Sequence, residues 1–122
     1  MEKARLEQYR IGLQARQVRR REELERRRLA ILAVVRQAAG ALLGLGAQRV
    51  LLFGSLLVPY RFRERSDVDV LVYGLADKQL TAALRLLEDW PGLEDVEIDL
   101  KFAEEQSPNF LAFVEKLGEE IV

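Results

Sequence analysis

Five residues in this 122-residue chain have the types and spacing to handle a polyphosphate and a hard cation: Gly54, Ser55, Asp67, Asp69 and Asp99. Asp67 and Asp69 are two apart at the head of an apolar run, Val68-Asp69-Val70-Leu71-Val72-Tyr73. Side chains two apart on a strand point to one face, so both carboxylates aim the same way while Val68, Val70 and Val72 take the other face into a core. Asp99 lies mid-run in Val96-Glu97-Ile98-Asp99-Leu100-Lys101-Phe102, whose strict alternation predicts a strand over 96–102 with one polar face. If the two strands pair, Asp99 joins the other carboxylates. Three crowded carboxylates repel one another, and Mg2+ relieves that repulsion while keeping open positions for water or phosphate oxygens. Gly54-Ser55 follows the apolar run Arg49–Phe53 directly. A glycine there lets backbone N–H groups approach a polyphosphate, and the serine hydroxyl adds a donor. Together these residues predict a Mg-NTP site. Two Mg2+ ions could be held by Asp67 and Asp69, with Mn2+ able to substitute. Asp99 is placed either to hold the second ion or to take a proton from an attacking hydroxyl.

Composition narrows the alternatives. The chain has no cysteine and no histidine, which excludes disulfides, thiolate chemistry and His-based acid–base catalysis. It has no apolar stretch of bilayer length and a strongly charged N-terminus, so neither a membrane span nor a signal peptide is expected, and a cytoplasmic location is. Hydrophobic residues at 49% and charged residues at 32% suit one globular domain with a real core. The formal net charge of −1 conceals a split. Residues 1–39 hold eleven Lys and Arg against five Glu, hence +6, and the remainder must carry −7.

The elements that must position the site follow from periodicity. Residues 3–39 lack proline and read as helix. The first part is polar all round, with Glu22–Arg26 and Glu23–Arg27 at ion-pair spacing. The second part is amphipathic, with Leu29, Leu32, Val35, Ala39 and Leu42 predicting a packed helix from Leu29 to Leu43. The expected organisation is therefore a basic helical arm over 1–28 and a domain over 29–122. Strands are predicted at 49–53, 68–73 and 96–102, and a loop at 55–66. A helix is predicted over 78–89, capped by Asp77, with Leu80, Ala83, Leu84 and Leu87 as its stripe. Ser107-Pro108 opens a last helix whose apolar side is Phe110, Leu111, Val114 and Leu117, stopped by Gly118. The fold class is mixed α/β (α+β): a short mixed sheet flanked by helices, with a long N-terminal helix.

The stretch Leu52-Phe53-Gly54-Ser55 followed by Ser66-Asp67-Val68-Asp69-Val70-Leu71-Val72 resembles the DNA polymerase beta-like nucleotidyltransferase superfamily. Its small size is similar to the minimal nucleotidyltransferases (MNT) of that superfamily, including the antitoxin members of HEPN/MNT toxin–antitoxin pairs. Val96-Glu97-Ile98-Asp99-Leu100 matches the place of the third carboxylate, and Phe113–Ile121 is similar to the closing helix and short tail. The resemblance implies the nucleotidyltransferase fold and transfer of AMP (or another NMP) from Mg-ATP (or another NTP) to a partner protein, a HEPN-domain toxin. It implies Asp67, Asp69 and Asp99 as catalytic and metal-binding residues. Gly54, Ser55, Arg61, Arg65 and Ser66 are the nucleotide-binding candidates. A homo- or hetero-oligomer is expected, and nucleic acid is disfavoured because Glu interleaves the Arg-rich run 19–28 without aromatics. The sequence departs from the family after Gly-Ser. Leu56-Leu57-Val58-Pro59 stands where small and basic residues are usual, leaving Arg61, Arg63 and Arg65 to compensate. That departure motivates the alternative of a catalytically weak or inactive MNT protein that neutralises its partner by binding. An antibiotic-modifying nucleotidyltransferase is a third reading, disfavoured because such enzymes usually carry a further domain for the acceptor, which a dimer would have to supply here.

Overall fold

A computed structural model describes residues 2–122; Met1, the first residue of the expected arm, lies outside them. One continuous helix, α1, runs from Glu2 to Gly44. Its 43 residues span about 65 Å at 1.5 Å per residue. Strands β1 (Arg49–Phe53) and β2 (Val68–Tyr73) follow, joined by a short 3-10 turn, Gly54–Leu57, and a loop. Helix α2 (Leu80–Glu88), strand β3 (Ile98–Phe102), helix α3 (Pro108–Leu117) and strand β4 (Glu119–Ile121) complete the chain. The sheet order is β3-β2-β1-β4. β1 runs antiparallel to β2 and to β4, whereas β2 and β3 are parallel. The expected mixed α+β class holds.

The period of two along the strands divides the core in two. Val50, Leu52, Val68, Val70 and Val72 face α1 and α2 and are fully buried. Leu51, Phe53 and Leu71 face the other way, under Val114 and Phe110 of α3. Phe53 and Phe110 meet edge to face, with ring centroids 5.6 Å apart. At the foot of α3, Ser107 Oγ accepts the Phe110 N–H at 3.2 Å, the expected cap. Gly118 stops that helix where a Cβ would meet two carbonyl oxygens, those of Val114 at 2.6 Å and Leu52 at 2.8 Å.

Six local expectations are corrected. The packed face of α1 is Arg28, Ile31, Leu32, Val35, Ala38, Ala39 and Leu42, and Leu29 is 51% exposed. Leu29 is turned about 100° from Arg28 and so misses that face. Arg28 is only 5% exposed; its guanidinium donates to both Glu25 carboxylate oxygens and to the Leu56 carbonyl. Asp77 does not cap α2: Asp77–Gln79 is a 3-10 turn leading into it, and Leu80 is 43% exposed. Leu117 is likewise exposed, and Glu119–Ile121, expected as a tail, pairs with β1 as an edge strand. The 96–102 strand is shorter than its alternation, because Val96 turns into the core from the preceding loop.

Candidate active site

The end of β1 and the starts of β2 and β3 meet at one end of the sheet. Phe53 pairs with Asp69, and Asp69 pairs in parallel register with Asp99. Residues opposite each other in a parallel pair share a face, so the two carboxylates stand side by side. Asp67 precedes β2 and is exposed, while Asp69 and Asp99 are half-buried. Gly54 closes the other side. Its φ is +83°, and a Cβ there would run into the Asp69 carboxylate. The glycine is needed for both reasons, a left-handed backbone and the close approach of an acidic side chain.

Crowding shows in the proton affinity of Asp69. Burial is the main cause that pushes its pKa up to about 6, and the neighbouring Asp99 and Asp67 charges add to it. The Asp99 carboxyl is also within hydrogen-bonding reach of Asp69. Lys101 offsets part of the repulsion. It lies two residues on from Asp99, and its Nζ stands 3.1 Å from Asp99 Oδ2. Sequence reasoning passed over Lys101 as a site residue, although the alternation over 96–102 already put it on the face of Asp99.

The remaining candidates fall at varied distances from this pair. Ser55 is half-buried in the 3-10 turn, and its carbonyl accepts the Val58 N–H at 3.1 Å. Ser66 Oγ accepts the Arg63 N–H at 2.7 Å, which tightens the loop before Asp67. Arg61 is exposed on the same loop, whereas Arg65 and Ser66 line a cleft with Arg27, Asp95 and Glu97. The departure at 56–59 has a packing reason. Leu56 is fully buried, Leu57 packs on the same core, and Val58 is 44% exposed.

Asp67, Asp69 and Asp99 bring carboxylate oxygens to this end of the sheet, the ligand type suited to Mg2+ or Mn2+. Among the described residues no three acidic side chains are already drawn together tightly enough to cage an ion. The arrangement is a close pair, Asp69 and Asp99, with Asp67 within Coulomb range. That is an open, carboxylate-rich mouth rather than a closed structural cage. A concavity of about 940 Å3 lies elsewhere, between α1 and the loop before β2.

The chain is thus a mixed α+β domain with paired aspartates and a glycine turn at one sheet end. Among solved structures it is similar to a crystal structure described as a mutant of the toxin–antitoxin MntA–HpeT. The TM-score is 0.48 with 19% identity, covering 78% of this chain and 72% of that one. No protein-family model matches the chain, and no curated protein matches it. Among the described residues no helix is long and apolar enough to cross a membrane.

Proposed function

We propose that the chain is a nucleotidyltransferase that moves a nucleoside monophosphate, AMP in the first instance, from Mg-ATP to a hydroxyl of a partner protein, with the hydroxyl oxygen bonding to the α-phosphorus as the bond to pyrophosphate breaks and pyrophosphate leaves. The supporting observation is the register that sets Asp69 beside Asp99 with Gly54 pressed against it. Asp67 and Asp69 would hold the divalent cation, with Asp99 as a further ligand or as acceptor of the hydroxyl proton. A bound cation would supply charge neutralisation for the polyphosphate. The chain's own part is positioning. Gly54 admits the phosphates close to backbone, Ser55 offers a hydroxyl, and Arg61, Arg65 and Ser66 belong to the loop that borders the mouth. Lys101 adds a positive charge beside Asp99. The toxin–antitoxin role and a HEPN-domain partner rest on the motif resemblance. The test is label transfer from ATP to such a partner in Mg2+. Transfer should drop at least a hundredfold in Asp67→Asn/Asp69→Asn, and equal labelling by that variant would refute the proposal.

A second reading has its own observation. Leu56 and Leu57 are committed to the core and Lys101 already occupies Asp99, which suits a protein that neutralises its partner by binding alone. Calorimetry separates the two: Mg-dependent heat on adding ATP supports the enzyme, and no heat supports the binder.

A further inference from the structure

Three adjoining clefts form a strip of opposite charge that begins on α1 and ends on the connection from α2 to β3. Its basic end is a groove of about 940 Å3 between the projecting half of α1 and the loop before β2. α1 gives Arg16, Arg20 and Arg21 to the rim and Leu13 and Leu24 to the walls. The loop adds Phe62, Arg63 and Arg65, with Glu64 as the one acidic residue. Arg65 and Glu64 also line the next cleft, with Asp95 and Glu97 across from them. Glu97 in turn lines a third cleft, whose other charged residues are Glu88, Asp89 and Glu94. The strip therefore passes from basic, through mixed, to acidic without a break.

Its charges are spaced evenly about a centre. Arg27 meets Asp95 at 3.8 Å, which puts the mixed cleft at the level of residue 27 on α1. Gly92, between Asp89 and Glu94 in sequence, lies against Val34, seven residues further along α1. Arg20 marks the basic groove seven residues the other way. Each half is about 10 Å long at 1.5 Å per residue. A two-fold axis through the level of Arg27 would lay each basic groove over the other copy's acidic cleft. That is the self-complementarity an isologous interface requires.

We propose that this strip is a homodimer interface, in which two copies pair antiparallel along α1 with basic groove on acidic cleft. The charge split within one chain, +6 against −7, favours a second copy as occupant. A nucleic acid lying in the groove would meet the carboxylates of the adjoining cleft. The proposal shares Arg65 with the catalytic reading but none of Asp67, Asp69 and Asp99, and the substitutions that test it leave all four residues unchanged.

Sedimentation velocity on the full chain tests it. At low salt the wild type should sediment at twice the 14.0 kDa of the chain and shift towards monomer as NaCl rises. Arg16→Glu/Arg20→Glu and Glu88→Lys/Asp89→Lys should each weaken association at least tenfold, with helical circular dichroism retained. Mixed together, the two variants should recover a dimer, because each reversed surface again meets its opposite. A monomeric wild type at low salt overturns the proposal, and that measurement needs no variant. So does a dimer that both variants leave intact, or a pair of variants that fails to recombine. A monomer whose groove instead takes up heparin or a poly-glutamate peptide overturns it as well.

Discussion

The carboxylate of Asp69 lies against the α-carbon of Gly54, so close that a Cβ there would stand 3.1 Å from Asp69 Cγ and closer still to one of its oxygens. β1 and β2 bring the two together by pairing Phe53 with Asp69, and the chain then leaves β1 through a left-handed residue. The glycine is therefore the wall of the acidic mouth, and the mouth depends on its lacking a side chain.

Gly54→Ala should destabilise the fold by roughly 1–3 kcal/mol, from a left-handed alanine and from displacement of Asp69. The two contributions separate in an Asp69→Ala background. There the carboxylate is gone and only the backbone cost, about 1 kcal/mol, should remain. Urea unfolding of the four proteins measures this. Equal costs in both backgrounds would mean that the side chain and the glycine do not interact.

Asp69 makes stability depend on pH in an unusual direction for a carboxylate. Its folded pKa of about 6 stands above the ordinary 3.8, so the folded chain holds more protons than the unfolded chain between those values. Stability from this group is present at low pH and falls as pH rises through 4 to 6. Asp69→Asn removes the ionisation. It should gain about 1–2 kcal/mol at pH 7, after discounting for the half-exposed site, and nothing near pH 3.5. Mg2+ favours the ionised form and should shrink the wild-type slope. Unfolding series with and without Mg2+ check both parts.

Much of this site was legible because strand periodicity fixes faces. Val68–Tyr73 and Arg49–Phe53 occur at their expected bounds. The alternation around Asp99 implied a shared face with Asp69 once the strands paired, and they do. What escaped notice was decided by tertiary partners. Arg28 reads as solvated until Glu25 and the Leu56 carbonyl satisfy it. Leu56 and Leu57 read as a loop until the 3-10 turn tucks them beneath the sheet. The strand Glu119–Ile121 has too few residues for a period to register, and pairing with β1 alone defines it. Lys101 was visible on the right face, but its approach to Asp99 is a matter of rotamer, which no pattern encodes.

Lys101 is the counter-charge of Asp99. Lys101→Met leaves the carboxylates without it. The melting temperature in EDTA should fall, and the rise on adding Mg2+ should exceed that of the wild type, because a cation now relieves more repulsion. Nucleotide transfer should decline about tenfold if Lys101 also steadies the polyphosphate. Differential scanning fluorimetry across a Mg2+ series reads the first effect. An identical Mg2+ response in variant and wild type would show that Lys101 and the cation do not share Asp99.

Arg28 pins α1 to the turn after β1. Its Nη1 donates to the Leu56 carbonyl at 2.8 Å, and Nε and Nη2 grip Glu25 at 2.7 and 2.8 Å. Arg28→Met keeps most of the volume but leaves a buried carbonyl and a carboxylate short of donors, so a loss of roughly 2–4 kcal/mol is expected. The pair also sets an acid limit. The Arg28 hydrogen bond is the main cause holding the Glu25 pKa at about 2, below its ordinary 4.5, and the Tyr60 N–H helps. A lowered folded pKa means that stability from Glu25 is complete above pH 4.5 and is lost as pH falls towards 2. In Arg28→Met only the Tyr60 N–H remains, so the acid slope between pH 4.5 and 2 should flatten while the whole curve moves down. Urea midpoints across that range would show it. A variant curve parallel to the wild type would mean that Arg28 does not hold Glu25 ionised.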